Sequence, residues 1–111
     1  MEQKQDDGSL SFLSIPADAT YKRFNCSETT QQKLINTSFW VIDYLEDVKT
    51  RFGNNRFLVK IKSNPEDKDS DSLKFFTNSQ EIKYVLGKIR ELHKFPRRVT
   101  LRASQNRYYF E

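Results

Sequence analysis

Cationic and aromatic side chains are the groups in this sequence best suited to bind a ligand. In the second half of the chain they alternate with apolar residues, so a strand would bury one set and expose the other. Phosphates bind mobile cations and unpaired bases stack on flat rings, so such a face is typical of proteins that bind single-stranded nucleic acid. The centre of the predicted face consists of Lys60, Lys62, Lys74, Phe76, Arg98 and Arg102.

The aromatic residues leave two interpretations open. Nine Phe, five Tyr and one Trp make up 14% of the chain, and rings fill a small core as well as they stack on bases. The alternative to a binding face is a solvated sheet face on which the N-terminal extension partly covers Phe76. Trp40, Tyr44 and Tyr109 are left as core or stacking residues. Burial is favoured for Trp40 and Tyr44, because a strand between two layers can bury both sides.

The acidic residues do not make a convincing catalytic or metal centre. Asp43, Asp47 and Lys49 have the composition of a magnesium-dependent nuclease site, but both acids fall on one strand and its exit. The segment 66–71 resembles a calcium loop without its central glycine and closing glutamate. A single cysteine, Cys26, and a single histidine, His93, exclude an internal disulfide and a thiolate-pair zinc site. We expect no enzymatic activity, metal or cofactor.

The net charge of +4 is unevenly distributed along the chain. Residues 1–38 carry −1 and residues 39–111 carry +5, although the loop 63–72 has four acids against Lys68. A basic excess in the patterned region favours a polyanionic partner, and general solubility is the alternative explanation. The N-terminus has no signal-peptide pattern and no apolar run is long enough to cross a membrane. A cytoplasmic protein without a membrane partner is therefore expected.

Periodicity predicts one domain over residues 36–111, preceded by a disordered segment 1–9 and an extension 10–35 that packs on the domain. In the extension, residues 27–30 predict the cap of one helical turn. The predicted strands are 39–45, 57–62, 73–77, 98–102 and 107–110, with turns at 51–56 and 105–106. A helix capped by Asn78 or Ser79 ends before Pro96, and its apolar stripe is Ile82, Val85, Leu86, Ile89 and Leu92.

Alternation within the first predicted strand assigns its side chains to two faces. Phe39, Val41, Asp43 and Leu45 are predicted on one side, and Trp40, Ile42 and Tyr44 on the other.

The order β-β-β-α-β-β predicts an α+β protein with the OB-fold, a five-stranded barrel with one helix between strands three and four. In that fold the ligand crosses strands two and three, between the first hairpin loop and the loop that joins the last two strands. The residues that these two loops supply are Lys49, Arg51, Phe52 and Arg56 in the first and Arg107 in the second.

Residues 36–110 also resemble the small single-stranded DNA-binding proteins of bacteriophages and mobile elements. The segments that carry the resemblance are FWVIDY at 39–44, DVKTRFG at 47–53, KFFTNS at 74–79, Phe95-Pro96 and Tyr108-Tyr109-Phe110. The resemblance implies an OB-fold, binding of single strands without catalysis, and a role in replication or recombination. The chain differs from the main bacterial family by lacking a long acidic C-terminal tail, so recruitment of partners by such a tail is not expected.

The sequence therefore predicts a protein that coats single-stranded DNA with low sequence specificity. If it is phage-encoded, it acts in the host cytoplasm. The protein partners to be considered are a second copy of the chain and proteins of replication or recombination. Two alternatives stay open: an OB-like adaptor or inhibitor that binds other proteins, with Phe12, Leu13 and Ile15 as its docking element, and an OB protein that binds RNA.

Overall fold

The computed structural model describes residues 24–50 and 53–111, so the predictions for residues 1–9 and 10–23 lie outside the described residues. The elements in chain order are β1 (Ser27–Glu28), α1 (Gln31–Leu34), β2 (Ser38–Thr50), β3 (Gly53–Lys62), β4 (Leu73–Thr77), α2 (Gln80–Glu91), β5 (Arg97–Ser104) and β6 (Arg107–Phe110). One turn of 3-10 helix, Asp69–Asp71, lies between β3 and β4. No helix in this part of the chain has the length and apolar character needed to cross a membrane.

The strands form one sheet in the order β1-β4-β3-β2-β5-β6. All neighbouring strands are antiparallel except β1 and β4, which run parallel. From β2 onward the chain has three strands, one helix and two strands, as predicted, and the α+β class is confirmed. Closure into a five-stranded barrel is not confirmed. Among the described residues β4 and β6 are not paired with each other, and β1 pairs with part of the outer edge of β4.

The sheet is nevertheless strongly curved. Phe75 on β4 and Phe110 on β6 each lie two strands away from Phe39 on β2, a spacing of about 9–10 Å in a flat sheet. Both rings contact Phe39 edge-on, with centroid separations of 6.1 Å. The inner face of the sheet therefore wraps around Phe39. The buried residues of this main core are Phe39, Val41, Tyr44, Val59, Ile61, Phe75, Ile82, Leu86, Val99 and Leu101.

A bulge at Ile42 corrects the predicted alternation of β2. Val41 pairs with Ile61 and Asp43 pairs with Lys60, so Ile42 is an extra residue relative to β3. An extra residue reverses which side chains face inward beyond it. Tyr44 therefore joins the main core, while Leu45 faces the other side. The predicted grouping of Asp43 and Leu45 with Phe39 and Val41 is wrong for this reason.

The hairpin between β2 and β3 is also longer than predicted. The turn was expected at residues 51–56, but β3 begins at Gly53 and pairs with β2 as far as Thr50. Only residues 51 and 52 separate the two strands, and they lie outside the described part of the chain. In contrast, the predicted turn at Gln105 and Asn106 is confirmed: both residues have positive φ, as a type I′ hairpin turn requires.

A second, smaller core lies on the outer face of the sheet. It consists of Phe24, Leu45, Val48 and Leu58, and Cys26 and Phe76 pack against it. Close to it, β1 pairs with the start of β4, and the predicted helical turn is confirmed as α1, where the Thr30 side chain caps the N–H of Lys33. Burial raises the pKa of the Cys26 thiol. Residues 24–35 thus pack against the sheet.

Helix α2 covers one end of the main core. The Ser79 hydroxyl accepts a hydrogen bond from the N–H of Ile82 and caps the helix, as predicted. Ile82 and Leu86 are fully buried, but Leu92, predicted on the same stripe, is 63% exposed. The reason is that the helix ends at Glu91, so Leu92 no longer follows the helical period.

Candidate nucleic-acid interface

Trp40 occupies the middle of a three-residue row across the outer face of the sheet. It pairs with Lys62 on β3 and with Arg98 on β5. Its chain neighbours Phe39 and Val41 are buried in the main core, so the half-exposed indole projects to the opposite side. Directly opposed cross-strand residues have Cβ atoms ~4.5–5.5 Å apart. An aromatic ring is thus placed between two cations.

The row continues along β5 and β6. Arg102 pairs with Tyr109, whose ring lies on the outer side because Tyr108 and Phe110 pack against the main core. Between the pair Trp40–Arg98 and the pair Arg102–Tyr109 lie Ser38 and Thr100, whose hydroxyls are 2.7 Å apart. We call this surface the open face; it consists of Ser38, Trp40, Arg98, Thr100, Arg102 and Tyr109.

The arginines of the open face differ in how firmly they are held. The Arg102 guanidinium donates to Glu111 at 2.6 Å and to the Asn36 side chain at 3.0 Å, which fixes its direction. In residues 24–50 and 53–111, the Arg98 guanidinium has no hydrogen-bond or ion-pair partner. Arg98 is therefore the cation of this face that can meet an incoming phosphate without losing a contact to any residue in the described part of the chain.

Arg107, predicted in the last loop, lies next to the open face. Its guanidinium is 4.7 Å from the centroid of the Tyr109 ring and donates to Glu81 at 2.6 Å. The ion pair with Glu81 is exposed on both sides, so it contributes little to stability and can be exchanged for another anion. The structure therefore brings together three of the predicted cations, Arg98, Arg102 and Arg107.

The lysines predicted at the centre of the face lie beside it and are covered. Lys60 and Lys62 both approach the same carboxylate oxygen of Asp69, at 2.5 and 3.9 Å. Lys62 also donates to the backbone oxygen of Asp67 at 3.0 Å. The hydrogen bond from Lys60 lowers the pKa of the Asp69 carboxyl below its usual value.

Two further residues of the predicted face, Lys74 and Phe76, are less exposed than predicted. Lys74 is buried, and its ammonium group donates to the backbone oxygen of Phe24 at 2.7 Å. Phe76 is half-buried against the second core. Their exposure was therefore wrongly predicted, because residues 24–26 cover this end of the outer face. For Phe76 the alternative interpretation, partial cover by the N-terminal extension, is the one observed.

Of the four residues predicted for the loop between β2 and β3, the structure describes Lys49 and Arg56. Lys49 is exposed, whereas Arg56 is half-buried on β3 rather than in a turn. Arg51 and Phe52 lie outside the described residues.

Tyr44 is a core residue, as the burial interpretation predicted. It is 1% exposed, stacks on Phe57 at 5.3 Å between centroids, and carries the Arg90 guanidinium 3.7 Å from its own centroid. Burial raises the pKa of its hydroxyl, which donates to Glu46. Burial was also favoured for Trp40, but Trp40 precedes the bulge, so its side chain lies on the outer face of the sheet and is half-exposed.

The acidic residues do not assemble a metal site in the described part of the chain. Asp43 accepts a hydrogen bond from Arg90 at 2.8 Å and a second from its neighbour's N–H. Asp47 is exposed. No group of three or more His, Cys, Asp and Glu side chains within the described residues is arranged to hold a metal ion.

Residues 25–111 match the model of a domain family described as a domain of unknown function (DUF8468), and the chain belongs to that family. No curated protein and no solved structure shows significant similarity to the chain. The family match covers every element of the sheet and both helices.

Proposed function

We propose that this DUF8468 domain binds single-stranded nucleic acid on its open face, without catalysis and with low sequence specificity. The observation that carries the proposal is Trp40, half-exposed and in register between Lys62 and Arg98. A base that stacks on the indole leaves its flanking phosphates near a cation on either side. Stacking on one aromatic ring contributes ~1–3 kcal/mol per base and depends little on base identity.

Tyr109 provides a second ring on the same surface. Its cross-strand neighbour is Arg102, and the Arg107 guanidinium lies over its ring. A second base that stacks on Tyr109 would therefore also have a cation on either side. Trp40 and Tyr109 are separated by one strand and by the four-residue interval from Arg98 to Arg102 along β5. A single-stranded nucleic acid that runs along β5 would contact both rings. A duplex would not, because its bases are already stacked on one another.

We infer that the sheet has an OB-like architecture. The OB-fold is a five-stranded, partly open barrel that binds oligonucleotides. In this protein β4, β3, β2, β5 and β6 form a curved five-strand row, and the Ser79 hydroxyl just beyond β4 donates to the backbone oxygen of Tyr108 on β6 at 2.7 Å. The two ends of the row thus approach each other. We place the ligand on β2, β5 and β6 rather than on strands two and three of the barrel, because residues 24–26 and the loop 63–72 cover β3 and β4.

The test is a titration of labelled oligo-dT, oligo-U and duplex DNA by fluorescence anisotropy over a series of salt concentrations. The protein should bind a single strand more tightly than the duplex, and the affinity should fall steeply with salt. A preference for oligo-dT or oligo-U distinguishes a role in coating DNA during replication or recombination from an RNA-binding role.

The Trp40→Ala variant tests the site itself. It should weaken binding of oligo-dT by about 5- to 150-fold, which corresponds to the loss of one stacked base. Tyr84→Ala is the matched control, because Tyr84 is an aromatic residue that is 66% exposed and lies on α2 rather than on the sheet. Equal affinities of Trp40→Ala and the unsubstituted protein would remove the open face as the site.

A protein-binding adaptor is the second candidate, and one observation favours it. Tyr84 on α2 is 66% exposed, and Leu92, just beyond the end of this helix, is 63% exposed. Large apolar residues on the surface are the groups with which such an adaptor would bind its partner. Absence of binding to all three oligonucleotides at low salt would favour this candidate over the first.

A further inference from the structure

The loop that joins β3 to β4, residues 63–72, places an anion on the two lysines beside Trp40. One carboxylate oxygen of Asp69 lies 2.5 Å from the Lys60 ammonium and 3.9 Å from the Lys62 ammonium. The lysine side chains are only 15% and 12% exposed, whereas Asp69 is 73% exposed. We call this segment the acidic loop, because its charged residues are Glu66, Asp67, Lys68, Asp69 and Asp71.

The lysines are held in place by contacts other than Asp69. The Lys60 ammonium lies 5.8 Å from the centroid of the Phe24 ring, and Lys62 donates to the backbone oxygen of Asp67. Two fixed ammonium groups that converge on one anionic oxygen are the arrangement that also binds a phosphate oxygen. The pair is therefore an anion-binding position that the chain itself fills.

The Asp69 side chain can leave without dismantling the acidic loop. The bend of the loop is held by Asp67, whose carboxylate accepts a hydrogen bond from the Asn64 N–H at 3.0 Å, and by the backbone bond from Asp71 N–H to Lys68 at 2.9 Å. Neither bond uses the Asp69 carboxylate. Because that carboxylate is exposed, water replaces the lysines as its partner at little cost.

We propose that Lys60 and Lys62 form a phosphate-binding subsite beside the open face and that Asp69 occupies it until the nucleic acid displaces it. The inference rests on the proposed function. Lys62 is the cross-strand neighbour of Trp40. A nucleotide whose base stacks on the indole therefore has a flanking phosphate next to Lys62. The acidic loop then acts as a built-in competitor that weakens binding of short or weakly held strands.

The decisive comparison is Asp69→Asn against Asp71→Asn, each titrated with labelled oligo-dT at low salt. The two substitutions change the net charge equally, but Asp71 forms no ion pair with either lysine among the described contacts. Asp69→Asn should raise the affinity about two- to fivefold, the range expected when one exposed ion pair is removed. Asp71→Asn should change the affinity by less than half of the change that Asp69→Asn produces.

A double-mutant cycle localises the effect to the subsite. In a Lys60→Gln, Lys62→Gln background, binding should be weaker and Asp69→Asn should no longer raise the affinity. Equal gains from Asp69→Asn and Asp71→Asn, or an undiminished gain in the lysine-free background, would overturn the inference while the proposed function stands. If no protein in the set binds oligo-dT or oligo-U, the proposed function fails and this inference fails with it.

A carbon-detected NMR titration of the side-chain carboxyls gives an independent readout. In the free protein Asp69 should titrate below its usual range, because Lys60 donates a hydrogen bond to it. With saturating oligo-dT its pKa should rise towards the usual value, since the lysine then faces a phosphate. A pKa that does not move on binding would show that Asp69 remains on Lys60.

Discussion

At the scale of single residues, His93 adopts a backbone conformation that its side chain disfavours. Its φ is +56°, in the left-handed region that glycine occupies most easily. It stands just beyond the end of α2, where its N–H donates to Arg90 and the N–H of Lys94 donates to Ile89, both at 3.0 Å. This is the Schellman arrangement, in which most helices use glycine.

His93→Gly should therefore stabilise the protein by about 0.5–1 kcal/mol, because it relieves left-handed strain at a small entropic cost. Urea denaturation should show a higher midpoint with an unchanged slope. His93→Ala keeps the β-carbon and serves as the control; it should give no gain. A lower midpoint for His93→Gly would mean that the imidazole itself holds the helix end.

Ile42 shows where single-residue reasoning from the sequence stops. Alternation correctly separated Phe39 and Val41 from Trp40, but beyond the bulge it assigned Tyr44 and Asp43 to the wrong faces. A bulge leaves no signature in the apolar pattern of one strand, since it is defined by the pairing with its neighbour. Burial was favoured for Trp40 together with Tyr44 because a strand between two layers can bury both sides, so the most exposed ring of the predicted strand was not included in the predicted face.

At the scale of elements, α2 was predicted well because its signals are local. The cap at Ser79 and the spacing of Ile82 and Leu86 are sufficient to define its start and its buried face. The end was less well predicted: Pro96 only limits the helix, and the left-handed residue His93 actually stops it. The short strand β1 was not predicted, because a two-residue strand gains its definition from β4 alone.

Leu86→Ala and Leu92→Ala make the same chemical change at two positions of this region. Leu86 is fully buried, so its truncation should destabilise the protein by about 2–5 kcal/mol. Leu92 is 63% exposed, and its truncation should change the free energy of unfolding by less than about 0.5 kcal/mol. Chemical denaturation measures both. Similar losses would mean that Leu92 is covered by another surface in solution.

At the scale of the whole molecule, a single curved sheet carries two unequal outer regions. Residues 24–26 and the acidic loop cover β3 and β4, whereas β2, β5 and β6 present the open face. The sequence predicted a basic outer face but not its division, because the covering residues come from segments without periodicity. Charge patterning identifies which residues are cationic; only the fold shows that Lys74 is buried and Arg98 is not.

The salt dependence of binding tests this division. On single strands, the slope of the logarithm of the affinity against the logarithm of the salt concentration is about 0.7 for each phosphate neutralised. Arg98→Gln should therefore reduce the magnitude of that slope by about 0.7. Arg97→Gln removes the same charge from the next residue of β5, which faces the other side, and should leave the slope nearly unchanged. Equal slopes for the two variants would place the phosphates off the open face.

Trp40 is also the only tryptophan in the chain. With excitation at the red edge of the absorption band, where tyrosines absorb little, the emission therefore reports on one position, in the centre of the surface proposed to meet the ligand. Occupancy of that surface can be followed in the unlabelled, unsubstituted protein, in the same sample in which its folding is monitored.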